Sequence, residues 1–227
     1  MLNRKIALIL GALGAVISGA PAHAVSVTVA TGLTNGSGFQ TLPTATPFTG
    51  APATASFQYF GPINFSNAAA QNSGPSGDLN STFFGANAAF ISSYSGSGTV
   101  AGIANFSTLT TFLASSGSAS NYQYGSLYSF DLGVLSANTV LTITHDDGIS
   151  VFQGATQIGS TVVGPTTVTT DVVTLTASAD TVLWYSRQNG TPSILQVTTN
   201  VPEPVSLSLF GIALAGMGLC RSRRKRA

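Results

Sequence analysis

The chain has 227 residues, of which 44% are apolar and only 7% are charged, against roughly 25% charged in an average globular domain. Seven of the eight basic residues lie at the two ends, so the stretch from Val25 to Asn200 holds one base, Arg187, and six aspartates, which leaves a net charge of −5. This balance argues against nucleic-acid binding, which needs clustered Lys and Arg. The stretch also has no Lys, Glu or Cys and a single histidine, His145, so most sets of catalytic residues are missing.

Residues 1–24 have the three parts of a secretory signal peptide. A charged start, Asn3-Arg4-Lys5, precedes an apolar run, and Ala22-His23-Ala24 forms a small-x-small cleavage site. The apolar run has about a dozen residues, fewer than the about 20 that span a bilayer, so we expect cleavage after Ala24 rather than a retained anchor. The exported domain, residues 25–200, then has no cysteine and must be stable without disulfides.

The first half of this domain is rich in small and polar residues, interrupted by aromatics and cut by turn formers such as Gly61-Pro62. Short runs of β-branched and aromatic residues between these turns predict strands, most plainly at Ser26–Ala30 and Phe57–Phe60. Helical periodicity is nearly absent. Residues 105–115 are the exception, with a pattern that permits one or two turns of helix.

The second half is patterned more strictly. Leu141 and Ile143 alternate with Thr142 and Thr144, which predicts a strand with one covered and one wet face. A turn is predicted at Gly154–Gly159. The predicted strands are Leu127–Leu132, Thr139–His145, Ser150–Phe152, Thr166–Asp171, Val172–Thr176, Thr181–Ser186 and Ile194–Thr198. Strand spacings of about 8 to 15 residues without helices between them predict an all-β fold, an antiparallel β-sandwich or jelly roll.

Two adjacent carboxylates stand where one predicted strand ends and the next begins. Asp146 and Asp147 converge only if the backbone turns between them, because neighbouring side chains on a strand point to opposite faces, and Gly148 permits that turn. Carboxylates so close repel each other unless a cation lies between them, and Ca2+ accepts oxygen ligands of this kind. The motif leaves one alternative open, an Asp-Gly turn with two solvated acids.

The order of motifs from Tyr122 to Thr199 resembles the protective-antigen-like lectin sandwich of bacterial toxins and microbial adhesins. The resemblance is carried by Gly125-Ser-Leu-Tyr-Ser-Phe-Asp131, by Leu141-Thr-Ile-Thr-His-Asp-Asp-Gly-Ile-Ser-Val-Phe152 and by Val182-Leu-Trp-Tyr-Ser-Arg-Gln-Asn-Gly-Thr-Pro-Ser-Ile-Leu195. It implies that Asp146 and Asp147 hold Ca2+ and touch sugar hydroxyls, with Asn189 as a third ligand. His145 departs from the family pattern, which has a small residue there, and many members keep the Asp-Asp-Gly as structure and bind no sugar.

Three further residues have two interpretations each. Trp184 and Tyr185 lie in an alternating strand, so one faces the core and the other is a candidate platform for sugar stacking. Arg187 is expected to be an ordinary surface arginine, with a pairing to an aspartate as the alternative. His145 beside Asp146 suggests a hydrolase, but triads are defined by geometry and the chain has no Gly-x-Ser-x-Gly elbow.

The chain ends in a tripartite tail. Prolines in the first part break regular structure, an uncharged run at 205–220 predicts a single transmembrane helix, and the bases after it stay on the cytoplasmic side. The first part is Val201-Pro202-Glu203-Pro204, and the bases are Arg221, Arg223, Arg224, Lys225 and Arg226. This order, over 201–227, resembles the PEP-CTERM sorting signal of Gram-negative bacteria. The resemblance implies cleavage near Pro-Glu-Pro by an exosortase, a membrane protease, in hosts that make extracellular polysaccharide.

These features lead to three hypotheses for function. The first is a non-enzymatic exported protein of the cell surface or extracellular matrix, which binds polysaccharide through a Ca2+-dependent sandwich and contacts the membrane only transiently. The second is a purely structural coat protein whose acidic, Ser/Thr-rich surface self-associates. The third is a secreted hydrolase, which requires a buried His145 within hydrogen-bond reach of a serine.

Overall fold

A computed structural model describes nine segments of the chain, residues 24–34, 54–67, 77–78, 81–100, 104–114, 116–117, 123–162, 167–187 and 193–200. Asn189, the predicted signal peptide up to residue 23 and the whole predicted sorting signal, 201–227, lie outside them, including Val201, Pro202, Glu203, Pro204 and the basic tail. Among the described helices, none has the length and apolar character needed to cross a membrane. The division into 1–24, 25–200 and 201–227 therefore stays a prediction.

The described residues form fifteen strands and three short helices. The strands are β1 (Val25–Thr34), β2 (Ala55–Tyr59), β3 (Asn64–Asn67), β4 (Gly77–Asp78), β5 (Ile91–Gly96), β6 (Thr99–Val100), β7 (Ala104–Asn105), β8 (Ser116–Gly117), β9 (Gln123–Leu135), β10 (Val140–His145), β11 (Gly148–Gln153), β12 (Thr156–Val162), β13 (Thr169–Thr174), β14 (Ala179–Arg187) and β15 (Ser193–Asn200). The helices are α1 (Ser81–Phe84), a 3-10 helix (Gly85–Phe90) and α2 (Leu109–Leu113). Every strand pair is antiparallel.

Two main sheets share one core, which confirms the all-β sandwich. The seven-stranded sheet has the order β12-β11-β14-β9-β1-β2-β5, and the four-stranded sheet has the order β13-β10-β15-β3. Inward side chains of both sheets belong to the same buried cluster, for example Phe130 and Leu183 from the larger sheet and Ile143 and Leu195 from the smaller one. The alternation predicted for β10 is present, with Leu141, Ile143 and His145 buried and the residues between them partly exposed.

Two predictions about strand limits are wrong. Thr166–Asp171 and Val172–Thr176 were expected to be separate strands, but β13 pairs with β10 without a break from Thr169 to Thr174. The expected turn at Gly154–Gly159 is only two residues long, because Thr156 already pairs with Gln153. Gly154 takes the positive φ that so tight a hairpin requires, and Gly159 lies inside β12, a strand that was not predicted.

The short helical segments were anticipated in part. The pattern at 105–115 gives α2, whose first turn is closed by a capping box between Thr108 and Thr111. Phe112 of α2 is buried in the core. No periodicity pointed to α1 or to the 3-10 helix, yet Phe83 and Phe84 of α1 are both fully buried between the sheets. These rings place α1 beside the strands that carry the candidate site.

Candidate functional site

Asp146 and Asp147 form the entire connection between the two sheets at one point. β10 ends at His145 in the four-stranded sheet, and β11 begins at Gly148 in the seven-stranded sheet. The chain crosses back between β14, which ends at Arg187, and β15. The start of β15 lies beside the first crossing, because the backbone N–H of Asp146 donates to the carbonyl of Ile194 (3.3 Å).

The carboxylate of Asp146 ties the first crossing to the strands of the second. Its Oδ1 accepts hydrogen bonds from the Tyr185 hydroxyl (2.8 Å) and from the backbone N–H of Ile194 (2.9 Å). Asp146 and Asp147 are each only 4% exposed. The alternative of a turn with two solvated acids is therefore wrong.

Burial and neighbouring charges shift the pKa values of Asp146 and Tyr185. Burial raises the pKa of Asp146 above its usual value, although the hydrogen bonds from Ile194 and Tyr185 and the positive charge of Arg187 act in the opposite direction. The pKa of Tyr185 is raised well above 10.0, first by burial and then by the negative charges of Asp146 and Asp147. Both carboxylates thus act on the same tyrosine.

Arg187 is buried here, which corrects the expectation of a surface arginine. Its side chain is fully buried, and its Nε donates to the Oγ of Ser193 (3.0 Å) across the second crossing. The guanidinium lies over the ring of Phe83, 4.7 Å from the centroid, and Phe83 stacks on Tyr185 with centroids 5.9 Å apart. The sequence did carry a signal for this role, since Arg187 is the single base of residues 25–200.

His145 is fully buried, and both of its ring nitrogens face oxygen acceptors. Nδ1 donates to the carbonyl of Asp147, and Nε2 lies 2.8 Å from Oδ2 of Asp171, to which it donates when the ring is protonated. A serine occupies neither position. The contact that the hydrolase hypothesis requires is therefore missing from the described part of the chain.

Asp171 was not identified from the sequence as a site residue. In the undivided strand β13, Asp171 lies two residues before the buried Val173 and therefore on the same face of the strand. Its side chain points toward the inside of the sandwich and contacts His145. Splitting β13 into two predicted strands hid this alternation.

We call His145, Asp146, Asp147, Asp171 and Arg187 the charged cluster. It unites three of the six aspartates of residues 25–200 with the only arginine and the only histidine of that stretch. Within the described segments, no three His, Cys, Asp or Glu side chains are arranged to hold a metal ion. Further oxygen ligands for a cation would have to come from carbonyls, or from Asn189 in the undescribed 188–192.

The two aromatic residues of β14 divide as expected. Tyr185 faces the core and is fully buried, whereas Trp184, on the opposite face, is partly exposed. Trp184 pairs with Ser150 of β11 and Ser129 of β9. It lies on the other side of the sheet from Tyr185, so it does not face the charged cluster.

No protein-family model matches the chain, and no curated protein matches it. Among solved structures, the chain is similar to a PA14 sugar-binding domain from an RTX adhesin, with 14% identity, a TM-score of 0.44 and coverage of 78% of this chain and 87% of that one. It is also similar to the PA14 domain of the MpAFP antifreeze protein, with 15% identity, a TM-score of 0.43 and coverage of 79% and 82%. Similarity at this level carries no functional conclusion.

Proposed function

We propose that this protein is exported to the cell surface or extracellular matrix and binds polysaccharide there through a Ca2+-dependent site at Asp146 and Asp147. The observation that supports the site is the charged cluster itself. Of the seven charged residues in its exported part, the domain brings four together with its one histidine beside the crossing from β10 to β11, and it buries three of those four. Asp171, the most exposed member, keeps 41% of its side chain accessible, while the other members are buried.

The balance of charge favours a cation beside the two carboxylates. Arg187 is the single base of residues 25–200 and its positive charge acts on Asp146, so Asp146 and Asp147, when both are ionised, carry one more charge than this base supplies. Burying such a charge without compensation costs several kcal/mol, and a divalent cation with neutral oxygen ligands removes that cost. The residues present therefore fit a Ca2+ ion, provided that neutral ligands complete the set.

Each residue has a defined part in this proposal. Asp146 and Asp147 would hold the ion, with Asn189 as a further ligand from 188–192. Tyr185 and the N–H of Ile194 fix the orientation of Asp146 through its Oδ1. His145 fixes the carbonyl of Asp147 and so the path of the crossing. When bound, Ca2+ supplies coordination positions for the vicinal hydroxyls of a sugar.

A calcium titration followed by the melting temperature tests the metal site. Ligand at a hundredfold its Kd stabilises a protein by about 2.7 kcal/mol, so we expect a rise of several degrees in Tm for the wild type at millimolar Ca2+. Asp147→Asn should abolish the rise. Asp180→Asn, which removes the same charge from an exposed position on β14, should leave it intact. An unchanged Tm in the wild type, or an equal rise in Asp147→Asn, would contradict the proposal.

A glycan array run once with Ca2+ and once with EDTA tests the sugar part. Signals that disappear both with EDTA and in Asp147→Asn support binding through the ion. Signals that persist under both conditions place the sugar elsewhere on the protein, and signals lost only in the variant show that the carboxylate contacts the sugar without a metal.

Delivery to the outside is the second part of the proposal, and it is supported by the tripartite motifs at 1–24 and 201–227. We expect the full chain, expressed in a Gram-negative host with its exosortase, to appear outside the cell without its last residues, as read by intact mass. In Glu203→Ala, or in a host without the exosortase, it should stay in the inner membrane. An extracellular form that keeps Arg221 to Arg226 would contradict sorting by this route.

A further inference from the structure

A second surface of the domain has the chemistry of a binding site and lies outside the charged cluster. On the outer face of the four-stranded sheet, cross-strand pairing sets four polar residues side by side, with Thr170 opposite Thr144, Thr144 opposite Gln196 and Gln196 opposite Asn64. We call these four residues the polar row. Their chain neighbours Ile143, Leu195 and Phe65 are buried, so alternation directs the row away from the core.

The row contains two hydrogen-bonded pairs and keeps unused donors and acceptors. The hydroxyls of Thr144 and Thr170 are 2.8 Å apart, and Gln196 Nε2 donates to Asn64 Oδ1 (2.9 Å). Asn87 of the 3-10 helix donates from Nδ2 to the carbonyl of Asn64 (2.9 Å). In the described part of the chain these bonds leave Asn64 Nδ2, Gln196 Oε1 and Asn87 Oδ1 without a partner, so the row offers both a donor and acceptors to a ligand.

Two exposed phenylalanines adjoin the Asn64 end of the row, and we call Phe60 and Phe90 the aromatic pair. The two residues are 45% and 44% exposed. The N–H of Phe60 donates to the carbonyl of Phe90 (3.1 Å), so the two residues are held together by their backbones. Phe90 closes the same 3-10 helix that contains Asn87, which connects the pair to the row.

The position of Phe90 is fixed by what lies beneath it. Its ring meets Tyr59 edge to face, with centroids 6.3 Å apart. A Cβ at Gly61 would come within 2.6 Å of the Phe90 ring, so the ring lies directly on the glycine backbone. One side of the ring is therefore packed, and the other is presented to solvent without rearrangement.

We propose that the polar row and the aromatic pair bind a neutral polysaccharide without a metal ion. Aromatic faces pack on the apolar C–H faces of sugar rings, and amides and hydroxyls pair with sugar hydroxyls. Neighbouring strands are about 4.8 Å apart, so the row spans about 14 Å, a length that several sugar units can follow. Neither the row nor the pair contains an ionisable group, and the flanking row of Val172, Thr142 and Thr198 is equally uncharged, which matches an uncharged polymer.

A second copy of this chain fits the same surface less well. Interfaces between proteins have an apolar centre with a polar rim, whereas here amide and hydroxyl groups occupy the length of the row and the two aromatic rings lie at one end. Unpaired amide atoms buried in such an interface would lose their hydrogen bonds to water. A polyhydroxylated ligand replaces those bonds, which favours a sugar polymer as the occupant.

The inference extends the proposed function to a second surface, and chelation separates the two. Native gel electrophoresis with EDTA throughout, in gels containing dextran, laminarin, hydroxyethyl cellulose or galactomannan, measures binding by retardation. We expect at least one of these polymers to retard the purified exported protein, and Phe60→Ala/Phe90→Ala and Gln196→Ala to lose at least tenfold in affinity. These substitutions change no charge, so mobility in polymer-free gels serves as an internal reference.

The controls make each outcome decisive. Val134→Ala, an exposed apolar position on β9, should bind like the wild type. If the double variant unfolds, Phe60→Ala alone replaces it, because Phe60 is 45% exposed and makes no ring contact within the described segments. Retardation by none of the four polymers, equal retardation of the variants, or retardation only when Ca2+ is restored would overturn the inference. Concentration-dependent self-association that the same variants abolish would assign the surface to a second copy and would also overturn it. A negative result in this gel experiment would not contradict Ca2+ binding at Asp147, which the calcium titration tests separately.

Discussion

Two clusters in the interior of this domain are built from opposite residue types. The aromatic cluster, which we define as Phe57, Phe84, Phe106 and Phe112, packs ring against ring with centroids 5.6 to 5.9 Å apart. The charged cluster fills its space with carboxylates, an imidazole and a guanidinium that are held by hydrogen bonds. Aromatic packing gains free energy from burial, whereas buried charges lose hydration that their partners must replace. The contrast indicates that the aromatic cluster stabilises the fold, whereas the charged cluster contributes less to stability and keeps polar groups that can interact with a ligand.

Phe83 links the two clusters. Its ring is 5.2 Å from Phe84 on the aromatic side, and it lies under the guanidinium of Arg187 on the charged side. The guanidinium of the charged cluster therefore packs on a ring that is itself held by the aromatic cluster, which limits how far Arg187 can move when a neighbour is substituted. Substitutions that remove one member from either cluster test how differently the two respond.

The largest effect is expected from Phe112→Ala in the aromatic cluster. Phe112 is fully buried and contacts four aromatic rings, so its removal leaves a cavity that the rigid neighbours fill only in part. We expect a loss of about 4 kcal/mol in the free energy of unfolding, measured by urea denaturation. Phe60→Ala, at an exposed position, should change it by less than about 0.5 kcal/mol. Equal losses in the two variants would show that the aromatic cluster is not the stabilising core.

Removal of Arg187, the only base of residues 25–200, should have the second-largest effect. Arg187→Met keeps the length of the side chain but leaves Asp146 and Asp147 without their compensating charge, so we expect a loss of about 3 kcal/mol. Ca2+ should then stabilise the variant more than it stabilises the wild type, because the ion faces one more uncompensated charge. Arg187→Lys, which keeps the charge and loses the planar contact with Phe83, should lose less. A Ca2+ response no larger than that of the wild type would separate Arg187 from the carboxylates.

Alkaline pH tests the apolar surroundings of Tyr59, whose hydroxyl donates to the carbonyl of Pro62 (2.8 Å). Burial raises the pKa of Tyr59 from 10.0 to about 12. Between pH 10 and 12 the folded state therefore keeps the Tyr59 proton while the unfolded state loses it. The contribution of Tyr59 to the free energy of unfolding is complete below pH 10 and falls by up to about 2.7 kcal/mol as the pH rises to 12. Tyr59→Phe should give up about 1 kcal/mol at neutral pH and show a shallower alkaline decline. Parallel pH profiles for the two proteins would contradict this assignment.

Local patterns predicted a large part of the fold. Period-two alternation located β10, β14 and β15 to within a few residues, and turn formers marked their ends. The paired carboxylates were also found at the correct place, between two strands. These features depend on neighbours in the chain, which a sequence displays directly.

The remainder of the site depends on pairing between distant segments. Phe83 comes from a helix of four residues that has no amphipathic period, and it meets Arg187 about a hundred residues later only because both sheets close over it. Asp171 reaches His145 through the register of β13 against β10. A single sequence states neither which strands are neighbours nor in what register, so these contacts were not predicted.

The smallest effect is expected from Asp171→Asn, which removes the negative charge 2.8 Å from His145 Nε2 while keeping the shape of the side chain. Because the Asp171 side chain is 41% exposed, solvent screens the pair, and we expect a loss of about 0.5 to 1 kcal/mol at low salt and less in 1 M NaCl. Asp180→Asn supplies the matched control, since it changes the net charge equally without touching the cluster. A loss above about 3 kcal/mol would show that the pair behaves as a buried one and that His145 carries its charge inside the sandwich. In that case Asp171 on β13 would balance a buried charge, as Arg187 does beside Asp146. The charged cluster would then depend on charge balance at both of its ends, and it would differ even more from the aromatic cluster.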